Sequence, residues 1–208
     1  MDNIKQYTTD AVDLLQRLIA TPSTSRDEKA AADIMEAELK QLGFAPHREA
    51  NNVWVEPLYY DASKPTLLLN AHIDTVRPVA SWTRDPYSPA IDGDTLYGLG
   101  SNDCGGGLVA LLQAFRILST RDNLDYNIMY LASAEEEVSG KDGISRAIPL
   151  LPHIDVAIVG EPTGMQPAVA EKGLMVLDIT SHGKSGHAAR GEGINALYAM
   201  LDDLVWIR

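Results

Sequence analysis

Along residues 10–20 (DAVDLLQRLIA) the apolar positions Val12, Leu14, Leu15, Leu18 and Ile19 fall on one helical stripe, which Thr21-Pro22 stops. The pattern predicts a second helix over 27–42, opened near Ser25 or Asp27 and closed before Gly43. NNVWVEPL reads as a strand, PTLLLNAHID (65–74) as a buried strand, and YNIMYLAS (126–133) and DVAIVG (155–160) as two more. Between them, residues 104–119 begin with three glycines and continue as LVALLQAFRIL, a helix packed closely on a sheet; GISRAIPLL reads as a short helix. Short all-apolar strands alternating with helices predict an α/β fold, a sheet flanked on both faces by helices.

The pattern changes at Gly173. GLMVLDITSHG alternates like a half-exposed strand, and 193–208 carries Ile194, Leu197, Leu201, Leu204 and Val205 at helical spacing. The expected organisation is therefore one domain over 1–172 and the start of another over 173–208.

Composition narrows the function. Of 208 residues 45% are hydrophobic, enough for a substantial core, and 29 acidic against 17 basic residues give a net charge of −12 and a pI near 4.7. That sign argues against nucleic acid or an anionic membrane surface as partner. Cys104 is the single cysteine, which excludes an intrachain disulfide and a thiolate zinc site. The polar start MDNIKQYTTD does not read as a signal peptide, and no apolar run approaches a membrane span, so a soluble cytoplasmic protein is expected.

Chemistry in open α/β sheets sits beyond the carboxyl ends of the strands. There the chain places His72 and Asp74 after one apolar run, Glu135, Glu136 and Glu137 after another and Glu161 after a third, with Asp103 in a glycine-rich loop before a helix. Alone, His72-Ile73-Asp74 reads as an ordinary hydrogen-bonded histidine. Together with Asp103, Glu137 and Glu161 it becomes a donor set suited to Zn²⁺ or Mn²⁺, with Asp74 accepting the second ring N–H of His72. Adjacent glutamates can divide the labour, one holding a cation and its neighbour taking a proton from water. A helix cap for the segment near Gly143 accounts for one of the three glutamates, not all.

Rival motifs are weaker. GLGSND (98–103) puts Asp103 where a dinucleotide fingerprint needs its third glycine, and GKSGH (183–187) lacks the last glycine of a nucleophile elbow. Cys104 reads as a packing residue, and His47 and His153 as surface residues. Calcium binding is disfavoured because histidine is a poor ligand for it and no EF-hand spacing surrounds Asp92 or Asp94.

NAHIDTV (70–76), YGLGSNDCGGGLVALL (97–112), SAEEEVSG (133–140), VGEPTG (159–164) and SHGKSGHAAR (181–190) resemble, in order, the motifs of the M20 metallopeptidases and amidohydrolases. The resemblance implies a zinc-aminopeptidase-like mixed sheet with an inserted α+β lid or dimerisation domain. It also implies two Zn²⁺ per full-length subunit, with Co²⁺ or Mn²⁺ as alternatives. By it, His72 and Glu161 hold one metal, Asp103 bridges the pair, Glu137 holds the second, Glu136 is the general base and Asp74 orients His72. His187 would reach a partner subunit's site in a homodimer, and the Asp103–Cys104 peptide would be cis.

Gly105 replaces the family's usual lysine, Leu99 a common arginine, and Glu135 the aspartate that opens the acidic triplet. None of the five histidines occupies the place of the family's last zinc ligand, so the resemblance implies an N-terminal portion of a longer enzyme with an incomplete second site. The run SGHAARGEGINAL leans toward acetylornithine deacetylases, hence a small N-acyl amino acid as substrate. A desuccinylase or dipeptidase of the same family, or an inactive fragment, is the alternative.

Overall fold

A computed structural model of the chain describes residues 2–57, 59–121, 123–170, 172–173 and 175–208. It separates into two compact units, Met1–Gln166 and Pro167–Arg208. The first contains helices α1 (Asp2–Ile19), α2 (Lys29–Gln41), α3 (Gly107–Ser119) and the short α4 (Ile144–Ala147). Its main sheet is built from β1 (His47–Glu49), β2 (Asn52–Val55), β3 (Thr66–His72), β6 (Asn127–Ser133) and β7 (Val156–Val159). The strand order is β1-β2-β6-β3-β7, and a separate hairpin pairs β4 (Ala90–Asp92) with β5 (Thr95–Tyr97).

The sheet is mixed. β3 runs parallel to both β6 and β7, whereas β2 is antiparallel to β6 and to β1. All seven residues of β6 are buried, because this central strand is covered on both faces. Alternate side chains serve different layers. Leu69, Ala71, Ile128, Tyr130 and Ala132 join Leu14, Met35, Leu39, Leu112 and Phe115 beneath α1, α2 and α3. Leu68, Met129 and Leu131 join Trp54 and Ala147 on the opposite face. Each fully buried Leu, Ile, Met or Phe side chain among them stabilises the fold by about 1.5–3 kcal/mol. Cover ends at β7, whose four residues are exposed and which pairs only with β3 among the described residues.

The first helix begins well before residue 10, through a polar turn that carries no apolar stripe. The three-residue strands β1, β4 and β5 were not apparent from the sequence pattern, since so short an element is defined by its partner. In the second unit, α5 (Ala196–Ile207) starts at Asn195, whose Oδ1 accepts the Leu197 N–H at 2.9 Å, a good N-cap. The strand expected over 173–183 does not form among its described residues, and Met175, Val176 and Leu177 are exposed. Alternation favours an extended chain, but a strand needs a neighbour for its N–H and C=O groups, and the described residues supply none there. Leu174 lies outside the described residues. No helix among the described residues is long and apolar enough to cross a membrane.

One close approach fixes the spacing of the strand ends. A Cβ on Gly107 would run into the carbonyl oxygen of Gly160, just past β7, while one on Gly160 would lie 3.0 Å from Leu111 Cδ1 and 3.1 Å from the Gly107 carbonyl carbon. The glycines at the start of α3 thus do what the sequence suggested, letting helix backbone meet sheet backbone. Gly107→Ala would gain up to about 1 kcal/mol of helix propensity but lose about 1–3 kcal/mol to overpacking against an unyielding main chain. Denaturant unfolding should therefore show Gly107→Ala destabilised, and more so than Gly160→Ala.

Candidate metal centre

The parallel register sets His72 opposite Ser133 and Asn70 opposite Val159, so the carboxyl ends of β3, β6 and β7 reach one rim. Asp103 joins them from the segment Ser101–Gly106 that leads into α3, where the helical path is broken at Asp103 and Cys104. The Asp103–Cys104 peptide is cis. His72 Nε2 lies 3.2 Å from Asp103 Oδ1, 3.9 Å from Glu161 Oε1 and 4.0 Å from Glu136 Oε2. Donor atoms of His72, Asp103 and Glu137 all fall within 4.8 Å of one another. The His72 ring is buried, while the Asp103 and Glu136 side chains are 57% and 54% exposed, leaving one side of the cluster open to solvent.

The second ring nitrogen behaves differently from the expectation. His72 Nδ1 donates to the main-chain carbonyl of Asp74 at 2.8 Å, and the Asp74 carboxylate stands 3.5 Å away. That buried carboxylate is occupied elsewhere: Oδ1 accepts the Glu136 N–H at 3.0 Å and Oδ2 the Glu137 N–H at 3.2 Å. It therefore ties the glutamate turn to the end of β3. Ser25 donates its hydroxyl to the same Oδ2 at 2.7 Å. Nothing in the local pattern around Ser25 or Asp74 signals this contact, which joins residues 49 apart.

The acidic triplet is divided in the structure. Glu135, at φ 54°, is buried and its Oε2 accepts the Asp142 N–H at 3.3 Å. A Cβ on Gly140 would collide with that carboxylate, so the loop folds around it. Asn52 clamps the loop from β2, donating to the Asp142 carbonyl at 2.8 Å and accepting the Ala134 N–H at 3.0 Å. Glu135 thus holds the loop without capping α4, which has no side-chain cap hydrogen bond, and Glu136 and Glu137 reach the rim.

Cys104 is buried under His72, accepting its N–H at 3.1 Å and donating to its C=O at 3.3 Å. Burial pushes its thiol up, so it stays protonated and packs rather than reacts. His187 belongs to the second unit, where its Nδ1 accepts the Ala189 N–H at 3.3 Å.

Burial and neighbouring acids act on the rim. Burial raises Glu137, and the Asp103 charge adds to it against the pull of His72. Burial likewise raises Glu161, opposed by His72 and reinforced by Glu136 and Asp103. For His72, burial alone would lower the pKa, but the nearby side chains of Asp74 and Cys104 prevail and push it up to about 12. One imidazole and several acids sharing one solvent-facing pocket fit a hard-to-borderline dication, which would relieve the repulsion that raises Glu137 and Glu161.

Residues 68–199 match the family described as Peptidase family M20/M25/M40. The chain is similar to acetylornithine deacetylase of Klebsiella pneumoniae (strain 342), 34% identical over 206 residues that cover 92% of this chain and 53% of that protein. Its fold is similar to an M20 family metallo-carboxypeptidase of Sulfolobus solfataricus, at TM-score 0.61 and 25% identity over 72% of this chain and 37% of the other. It is also similar to a Bacillus subtilis protein described as a dinuclear metal binding peptidase from the M20 family, at TM-score 0.56 and 16% identity over 74% and 43%. The chain spans about half the length of the curated relatives it matches.

A cation at Nε2 must displace any proton held there, and the contacts that raise the His72 pKa strengthen that competition. Zn²⁺ affinity should therefore rise with pH, and His72→Ala should weaken binding by about tenfold or more, both measured by calorimetric titration at a series of pH values. Unchanged affinity in His72→Ala would remove His72 as a ligand.

Proposed function

Because this chain belongs to Peptidase family M20/M25/M40, we propose that it carries the metal-binding catalytic domain of a hydrolase that cleaves the amide of an N-acyl amino acid, of the acetylornithine deacetylase type. The observation that supports this reading most is the approach of Asp103, Glu136 and Glu161, from three separate segments, to within 4.0 Å of His72 Nε2. In it, His72, Asp103, Glu137 and Glu161 would hold the Zn²⁺ ions, with His72 and Glu161 serving one and Glu137 the other. When bound, such ions polarise a carbonyl and lower the pKa of water from 15.7 toward about 7.

The remaining work belongs to the chain's own side chains. Glu136 is half-exposed, with its carboxylate 4.0 Å from His72 Nε2 and its main-chain N–H donated to Asp74. Its carboxylate accepts a proton from the attacking water as the oxygen bonds to the acyl carbon. When the C–N bond breaks, it returns that proton to the departing nitrogen, leaving a carboxylic acid and a free amine. Asp74 keeps Glu136 and Glu137 at fixed distances from β3, supplying orientation. Residues 173–208 are read as the start of a lid or dimerisation domain. In a homodimer, His187 of one subunit would polarise the scissile carbonyl bound by the other. The site of action is read as the cytoplasm.

The roles separate by mutation in a chain completed to the relatives' length and assayed with Zn²⁺ or Co²⁺ on N-acetyl amino acids, N-succinyl amino acids and dipeptides. Glu136→Gln should lower kcat by about 10²–10⁴-fold while metal content stays at the wild-type level. Glu161→Ala should lose metal first. Near-normal turnover in Glu136→Gln would remove it as the base, and preference for succinyl or dipeptide substrates would reassign the acyl group.

A further inference from the structure

We propose that Ser25 is a positioning residue for the glutamates of the rim, acting through Asp74. The inference rests on the preceding reading that this rim binds a dication, and it adds a residue that the sequence marked only as a helix start.

The loop between α1 and α2 is stitched alongside the exit of β3. The Thr75 N–H donates to the Ser23 carbonyl at 2.9 Å, and the Ser25 N–H donates to the Thr75 carbonyl at 3.3 Å. On its far side the loop is held by Glu28, fully buried, which accepts the Arg26 N–H at 2.5 Å and the Asn51 amide at 3.0 Å. These contacts hold the Ser25 hydroxyl against Asp74 Oδ2. Among the described residues it is the only side-chain hydroxyl donating to that carboxylate.

Asp74 needs such a donor. Its two oxygens face three competing groups: the Glu136 N–H, the Glu137 N–H and, at 3.5 Å, His72 Nδ1. Rotation about Cβ–Cγ would turn either oxygen toward the imidazole and release a glutamate amide. The Ser25 hydroxyl occupies Oδ2 and sets that rotation. A buried carboxylate oxygen deprived of its partner seeks another donor, and the nearest are those that hold the glutamate turn. The hydroxyl thus controls the glutamates without touching them, as outer partners tune metal ligands generally.

The test uses the 208-residue chain with Co²⁺ as probe, comparing wild type, Ser25→Ala and Ser25→Thr. In Ser25→Ala, metal-free amide hydrogen exchange should quicken several-fold at Glu136 and Glu137 while Leu69 and Tyr130 in β3 and β6 stay protected. Co²⁺ should bind about tenfold more weakly, with an altered visible absorption band, and Ser25→Thr should restore both. Should Ser25→Ala fail to fold, Ser25→Cys, whose S–H is a weak donor, makes the same comparison. Unchanged exchange and affinity would overturn the proposal. So would exchange that quickens equally at Leu69 and Tyr130, or a threonine that fails to rescue. A wild-type chain that takes up no Co²⁺ overturns the metal reading, and the metal-free exchange still decides whether Ser25 holds Asp74.

Discussion

The constraint on which this molecule depends is that carboxylates repel and yet must be held beside one imidazole. Four of them, Asp103, Glu136, Glu137 and Glu161, arrive at the rim from three segments, and none would gather there by mutual affinity. Backbone geometry does the gathering. Parallel pairing of β3 with β6 and β7 aligns the strand ends, and the contact of Gly107 with Gly160 brings the start of α3 against the end of β7. A bound dication would offset the repulsion that raises Glu137 and Glu161.

The same economy explains the loop from Ala134 to Gly143. Three adjacent acids would be unstable as three equivalent charges. One is withdrawn into the protein, where Glu135 meets the Asp142 N–H and Asn52 holds the backbone on either side of it. The other two stay at the rim with their N–H groups bonded to Asp74. A single buried carboxylate therefore connects the exit of β3, the glutamate turn and the α1–α2 loop. Chemistry at the rim is inseparable from this bracing, because a ligand displaced by an ångström loses much of its value.

The core was largely legible from the amino-acid order. β3 and β6 are apolar on both faces because helices cover both, and that leaves continuous runs such as TLLLNA and NIMYLAS. Positions just beyond those runs stood out for the same reason: charge where apolar sequence stops has few innocent explanations. Local pattern failed where the neighbour, not the segment, decides. β1, β4 and β5 exist through pairing, and GLMVLDITSHG alternates like a strand without becoming one.

What the sequence by itself determined is which side chains are available at the strand ends, since residue type and apolar period are properties of the chain read in order. What only the tertiary structure decided is their division of labour. Glu135 and Glu136 are neighbours with equal claims in the sequence, and Asp74 reads as a partner of the His72 ring. Their actual contacts, with Asp142, with the glutamate amides and with Ser25, span loops of up to 63 residues. Such contacts follow from where the folded backbone passes, a matter of packing and register that no local pattern encodes.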